Sequence, residues 1–326
     1  MAHLRIGILG RSEEAALHAR AWEEANVDVV RFDGNARGTG YFRELSTVLA
    51  GKRVSAVSLC VPPPARRALA IDCLENGIHV LSEMPLAGDP DAAQALLDAA
   101  RVAKIDTRTL LVPATPYRFL PDVELLRGIL GGGGLGEIRN FRLTLSSLAT
   151  RAGNESMHQP LTGAGHLFDA GSHAFDLVRY LFGRPLLVRA TRSGGEGLAA
   201  AATIRIRMSY PGDAVGDIVL APHSIASAQP LLTLEGSEGA IEIGWQRSWC
   251  AMGGNKRTAI GSGNSWSAAY RRMTSLFGST IRRGGGSWIT LADSYRILEL
   301  VRMAQESLAS GRATELPSLY QGATAA

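Results

Sequence analysis

The chain lacks any run approaching the roughly 18 consecutive apolar residues of a membrane-spanning helix, and its first residues, Met1-Ala2-His3-Leu4-Arg5, carry no signal-peptide pattern. A membrane partner is therefore not expected, and the sequence reads as cytoplasmic. Cysteine is scarce. Cys60, Cys73 and Cys250 are odd in number and far apart, and the first two fall inside apolar segments. This argues against a disulfide framework and, with no cysteine at ligand spacing near His158 or His166, no metal is expected. Aromatic residues do not interleave with the densest basic pairs, Arg66-Arg67, Arg271-Arg272 and Arg282-Arg283, so the net charge of +4 does not point to nucleic acid. A solvated surface or an anionic small molecule is the expected use of those pairs. No Gly-x-Ser-x-Gly elbow occurs either, which leaves nucleophilic serine catalysis without support.

What is present describes a globular chain of 326 residues, 46% hydrophobic and 20% charged, long enough for two domains. Strand-like segments over 4–9, 27–32, 56–61, 79–82 and 109–112 alternate with helical ones over 13–25, 42–49, 66–75 and 90–103. Such alternation predicts an α/β domain on a parallel, doubly wound sheet. From Arg118 the pattern changes. A helix over 121–130 and a strand over 137–145 precede a helix over 169–181. Strands then follow over 187–191, 203–208, 217–220, 231–235 and 240–243, which predicts an open, mostly antiparallel sheet in a second α/β domain. The Gly-rich stretch 253–263 reads as a loop and 291–310 as a final helix. The expected division is 1–116 for the dinucleotide-binding domain and 117–326 for a substrate and oligomerisation domain, with the last helix returning toward the interface.

A dinucleotide fingerprint places three glycines between the first strand and helix, so that backbone N–H groups reach a pyrophosphate, and only the first of them is kept in this chain. Here those positions hold Gly10, Ser12 and Ala15. Ser12 suits a helix N-cap, and Glu13 and Glu14 suit the first turn, yet both carboxylates would repel a pyrophosphate they faced. Asp33 ends the second strand at about 20 residues from the turn, where a carboxylate accepts from an adenosine ribose. It favours NAD, while Arg37 leaves NADP open. A helix start that caps itself and holds no phosphate is the competing reading.

Several ordered motifs carry a family resemblance. They are Val61-Pro62-Pro63, Val80-Leu81-Ser82-Glu83-Met84-Pro85, Tyr117-Arg118-Phe119-Leu120-Pro121, Gly136-Glu137-Ile138-Arg139, the segment from Gly163 through His173 to Asp176, and Glu235-Gly236-Ser237-Glu238-Gly239. With these the chain resembles the glucose-fructose oxidoreductase, inositol dehydrogenase and rhizopine-catabolism (Gfo/Idh/MocA) family over nearly its whole length. The resemblance implies an N-terminal Rossmann domain and an open C-terminal sheet that often mediates homodimers or homotetramers. It also implies a bound NAD or NADP and a small-molecule substrate. Pro62, Glu83 and Met84 join Gly10, Ser12 and Asp33 as implied cofactor residues. The family's Glu-Lys-Pro lysine contacts the nicotinamide ribose and the substrate hydroxyl; Met84 stands there instead, so the ammonium that lowers a hydroxyl pKa is missing. Biliverdin reductases and thiazolinyl imine reductases resemble this chain in lacking that lysine and still use NADPH. Sugar-alcohol oxidation by the usual relay is therefore disfavoured, and C=N or C=O reduction is expected. Met84 is expected at a cleft, where a lysine in its place would reach solvent.

Asp169, His173 and Asp176 fall at i, i+4 and i+7, on one face of a helix. The resemblance maps the catalytic carboxylate and imidazole onto Asp169 and His173, and an imidazole with a carboxylate neighbour is suited to proton transfer. Tyr117 is the further candidate, where the chain passes between domains. The alternative is that Asp169 caps the helix and His173 packs at an interface. Three functions follow: an NAD(P)-dependent oxidoreductase, a non-redox acid/base enzyme on the same fold, or a silent partner subunit.

Overall fold

The computed structural model describes residues 4–32, 45, 47–49, 51, 53–146, 164–194, 202–254, 256–284 and 286–316. They group into two compact units. In the first, residues 4–124 group with 264–299; in the second, 125–146, 164–263 and 300–316 group together. Each unit thus draws on separate stretches of chain.

The first unit is built on β1 (Arg5–Leu9), β2 (Asp28–Phe32), β3 (Ala56–Leu59), β4 (His79–Ser82) and β5 (Leu111–Pro113), in the order β2-β1-β3-β4-β5. Every pairing is parallel. All four residues of β3 are buried, as expected of a strand covered on both faces. Helices alternate with these strands, among them α1 (Glu13–Glu24), α2 (Pro63–Glu75) and α3 (Pro90–Asp106). Asp89 caps α3 by accepting from Asp91 N at 3.0 Å and Ala92 N at 2.8 Å. Of the helix expected over 42–49, Leu45 and residues 47–49 are described and are helical. On α1, Ala15, His18, Ala19 and Trp22 face inward, and the Trp22 indole N–H donates to Ser58 Oγ at 3.1 Å.

Two elements depart from the sequence pattern. Part of the expected 253–263 loop is strand: β12 (Ser248–Met252) and β13 (Thr258–Ile260) pair antiparallel, with Gly253 and Gly254 taking positive φ in the turn between them. A long helix that the pattern did not suggest, α6 (Trp266–Arg283), belongs to the first unit. Its buried stripe includes Ala269, Tyr270, Met273, Thr274 and Phe277, at helical spacing. Ser265 caps its start and left-handed Gly284 ends it.

Among the described residues, the second unit has a nine-stranded sheet in the order β13-β12-β11-β10-β6-β9-β8-β7-β14. The remaining members are β6 (Ile138–Leu145), β7 (Leu187–Ser193), β8 (Thr203–Ser209), β9 (Val215–Leu220), β10 (Leu232–Gly236), β11 (Gly239–Ile243) and β14 (Thr314–Glu315). The β6–β9 pairing is parallel and the other described pairings are antiparallel. Along β8, buried Ile204, Ile206 and Met208 alternate with exposed Arg205 and Arg207, the period-two pattern of a half-covered sheet. Helix α5 (Ala164–Phe182) also lies in this unit; α4 (Pro121–Gly131) and α7 (Leu291–Ser310) complete the helices used below. Among the described residues, no helix is long and apolar enough to cross a membrane.

Candidate functional site

The strand order of the first sheet reverses at β1, which lies between β2 and β3, and the crevice outside the carboxyl ends of β1 and β3 is where doubly wound sheets bind ligands. Gly10 leaves β1 there with φ 131°, and a β-carbon on it would stand 2.4 Å from the Cys60 carbonyl oxygen at the end of β3. Glycine is required for this close approach. Ser12 then caps α1, its Oγ accepting from Ala15 N at 3.3 Å, and Glu13 and Glu14 occupy the first turn, as expected from the sequence. Glu13 is exposed and Glu14 half-buried. The backbone shape and the helix N-terminus fit a dinucleotide pyrophosphate; Ser12, however, engages one amide and the two carboxylates oppose the charge. Asp33 and Arg37 lie outside the described residues, as does His158.

On the neighbouring strand, Cys60 leads through Val61 to Pro62, the N-cap of α2. Burial, with the Glu83 carboxylate as a second cause, pushes the Cys60 thiol well above its ordinary value, so it stays protonated and is no nucleophile. Arg66 is not on the solvated surface expected of a basic pair. It is buried, donating from Nε to Val61 O at 2.7 Å and from a terminal nitrogen to Glu83 O at 3.2 Å and to Pro85 O.

The same segment is held through its side chain. The Glu83 N–H donates to Leu59 O at 3.0 Å, linking β4 to β3. Its Oε1 lies 2.9 Å from His18 Nε2 and accepts from the Tyr270 hydroxyl at 3.0 Å. His18 is fully buried and Glu83 is 2% exposed. The rings of His18 and Tyr270 meet edge to face, with centroids 5.0 Å apart. Burial, then the charge of Glu83, raises the Tyr270 phenol well above its ordinary value, which keeps the hydroxyl a donor. Neither His18 nor Tyr270 was singled out from the sequence. The one available signal was a histidine on the apolar face of α1.

Met84 follows Glu83 and is 5% exposed, so the expected opening to solvent is not found; Arg66 donates to the carbonyls of the residues on either side of Met84, Glu83 and Pro85. Tyr117 sits in a buried 3-10 turn, Pro116–Phe119, with its ring edge-to-face on Trp266 at 5.0 Å. Gly10, Pro62, Glu83, Met84 and Tyr117 all belong to the first unit.

In the second unit, α5 starts at Ala164, five residues before Asp169, so Asp169 is interior to the helix and is not its cap. Asp169, His173 and Asp176 are buried along one face of α5, as the spacing predicts. The His166 side chain is not described. The three cysteines are buried free thiols.

Residues 4–105 match the family model described as oxidoreductase family, NAD-binding Rossmann fold, and residues 123–242 match that of the GFO/IDH/MocA C-terminal domain. Levoglucosan dehydrogenase of Pseudarthrobacter phenanthrenivorans is 27% identical over 179 residues, 54% of this chain and 44% of that protein. The chain therefore spans less than half the length of this relative. The NADP(+)-dependent scyllo-inositol 2-dehydrogenase IolU of Bacillus subtilis is 24% identical over 238 residues, 70% of this chain and 67% of that protein. A solved levoglucosan dehydrogenase complex with NADH and levoglucosan superposes with a TM-score of 0.77, covering 97% of this chain and all of that one, at 18% identity. This last likeness speaks for the fold.

Proposed function

We propose that this chain, which belongs to the Gfo/Idh/MocA family of NAD-binding oxidoreductases, interconverts a carbonyl group and its alcohol on a small polyol- or sugar-like molecule. The observation that carries this reading is Gly10 against Cys60 at the reversal of the parallel sheet, inside the stretch matched by the NAD-binding model. Gly10 and Ser12 would hold the pyrophosphate, and Asp33 the adenosine ribose, which favours NAD; Arg37 keeps NADP open. Pro62, Glu83 and Met84 would line the remainder, beyond the ends of β3 and β4. When bound, the nicotinamide supplies or accepts a hydride.

His173 is the proton donor for the carbonyl oxygen in reduction and the acceptor in the reverse direction, with Asp169 orienting its imidazole. Tyr117 serves as a further substrate contact. Met84 has no proton to give or take, so proton transfer falls to the imidazole in either direction. The names of the relatives point to oxygen-bearing substrates, which sets imine reduction aside. A cytoplasmic homodimer or homotetramer is the matching assembly.

The test is a panel of small polyols and keto-sugars with NAD(H) and NADP(H), read by the absorbance of the reduced nicotinamide. Turnover of at least one pair is expected. Bound cofactor with no turnover of any would favour non-redox acid/base chemistry.

A further inference from the structure

Three elements far apart in sequence converge on one carboxylate oxygen. His18 from α1 and Tyr270 from α6 both meet Glu83 Oε1, 65 and 187 residues away along the chain. Tyr270 lies outside both family-model matches. The backbone of the same residue is fixed as well, its N–H to Leu59 O and its carbonyl to Arg66 and to Ser82 Oγ. A carboxylate this deeply buried is stable only with donors on it, and here it receives two that carry rigid aromatic rings. The arrangement therefore leaves the chain entering Met84 almost no rotational freedom.

The position of that segment gives the rigidity a purpose. In a doubly wound sheet, one half of a dinucleotide lies over β1 and β2 and the other crosses to the strands beyond the reversal point. The end of β4 is on that second side. We infer that His18 and Tyr270 are positioning residues for cofactor binding: by clamping Glu83 they set Met84 and the turn after β4 as the seat of the nicotinamide half. This rests on the proposed function. Because Tyr270 comes from α6, that helix becomes part of the cofactor site without touching the cofactor.

The experiment compares Tyr270→Phe with the wild type, since phenylalanine keeps the ring packed on His18 and removes only the hydroxyl. Dissociation constants are measured by calorimetry for NAD+ and for ADP-ribose, which lacks the nicotinamide. The expected result is a loss of about tenfold for NAD+, the scale of one hydrogen bond to a charged acceptor, with ADP-ribose unchanged. Amide hydrogen exchange should also quicken locally over residues 82–87. Equal loss for both ligands would mean a general loosening and would overturn the assignment, as would unchanged affinity for NAD+. Should wild type itself bind no NAD+ or NADP+, the proposed function falls and the positioning role with it. Binding by wild type with no effect of the variant removes the positioning role alone.

Discussion

Gly10 and the Cys60 carbonyl are so close that a single methyl group on Gly10 would reach within 2.4 Å of that oxygen. The contact joins the ends of β1 and β3 where the sheet order reverses, so one residue governs both the packing of the fold and the shape of the proposed phosphate turn. Gly10→Ala should destabilise the protein by about 1–3 kcal/mol, from the positive φ and the clash together. Urea denaturation measures this, and nicotinamide cofactor affinity should fall in the same variant. An alanine tolerated at no loss of stability would mean that the turn opens easily and that its shape is not a determinant.

Met84 gives a prediction that runs against the sequence pattern alone. From its neighbours a lysine there was expected to reach solvent, but Met84 is 5% exposed beside the carbonyls that Arg66 gathers. Met84→Lys should therefore lower stability by roughly 1–3 kcal/mol, as an ammonium added without a partner loses hydration. Thermal unfolding is the measurement. An unchanged melting temperature would show that the turn admits the longer side chain to water.

The proton-transfer assignment is tested once a substrate is found. His173→Ala should lower turnover by about 10²-fold or more. Asp169→Asn should lower it less, because Asp169 orients the imidazole without carrying the proton. The pH–rate limb belonging to an imidazole should vanish in His173→Ala. Near-wild-type turnover with an unchanged profile would shift the role to Tyr117.

A pH effect on stability should come from His79. Burial holds its imidazole below the ordinary value, and its Nδ1 accepts from Leu110 N at 3.2 Å, which only the unprotonated nitrogen can do. The unfolded chain takes up the proton first as pH falls. The contribution is thus complete above about pH 6.5 and is lost as pH drops through that value toward the lower folded-state pKa. Melting temperature followed downward from neutral pH should fall less steeply in His79→Asn, whose amide oxygen can still accept. Identical slopes would place the dependence elsewhere.

The parallel sheet was legible because its strands are short apolar runs, β3 being buried at every residue, separated by helices with ordinary caps such as Ser12 and Asp89. The alignment of Asp169, His173 and Asp176 followed from helical spacing alone. Helix α6 carries Trp266, Ala269, Tyr270, Met273 and Phe277 at helical spacing between Ser265 and Gly284, so its pattern is present in the sequence although no helix was expected there. The clamp on Glu83 was hidden. A lone histidine on α1 reads as core, and its partnership with Tyr270 exists only once chain ends far apart in sequence are folded together. Arg66 departs from the solvent-facing habit of a basic pair because backbone carbonyls satisfy its guanidinium.

The central claim is that the first unit binds a nicotinamide dinucleotide, and calorimetric titration of the purified protein with NAD(H) and NADP(H) tests it most directly. The account predicts saturable binding by wild type, made tighter when Glu13→Gln and Glu14→Gln remove the carboxylates in the first turn of α1. No heat at millimolar cofactor, in wild type and in the double variant alike, would contradict it.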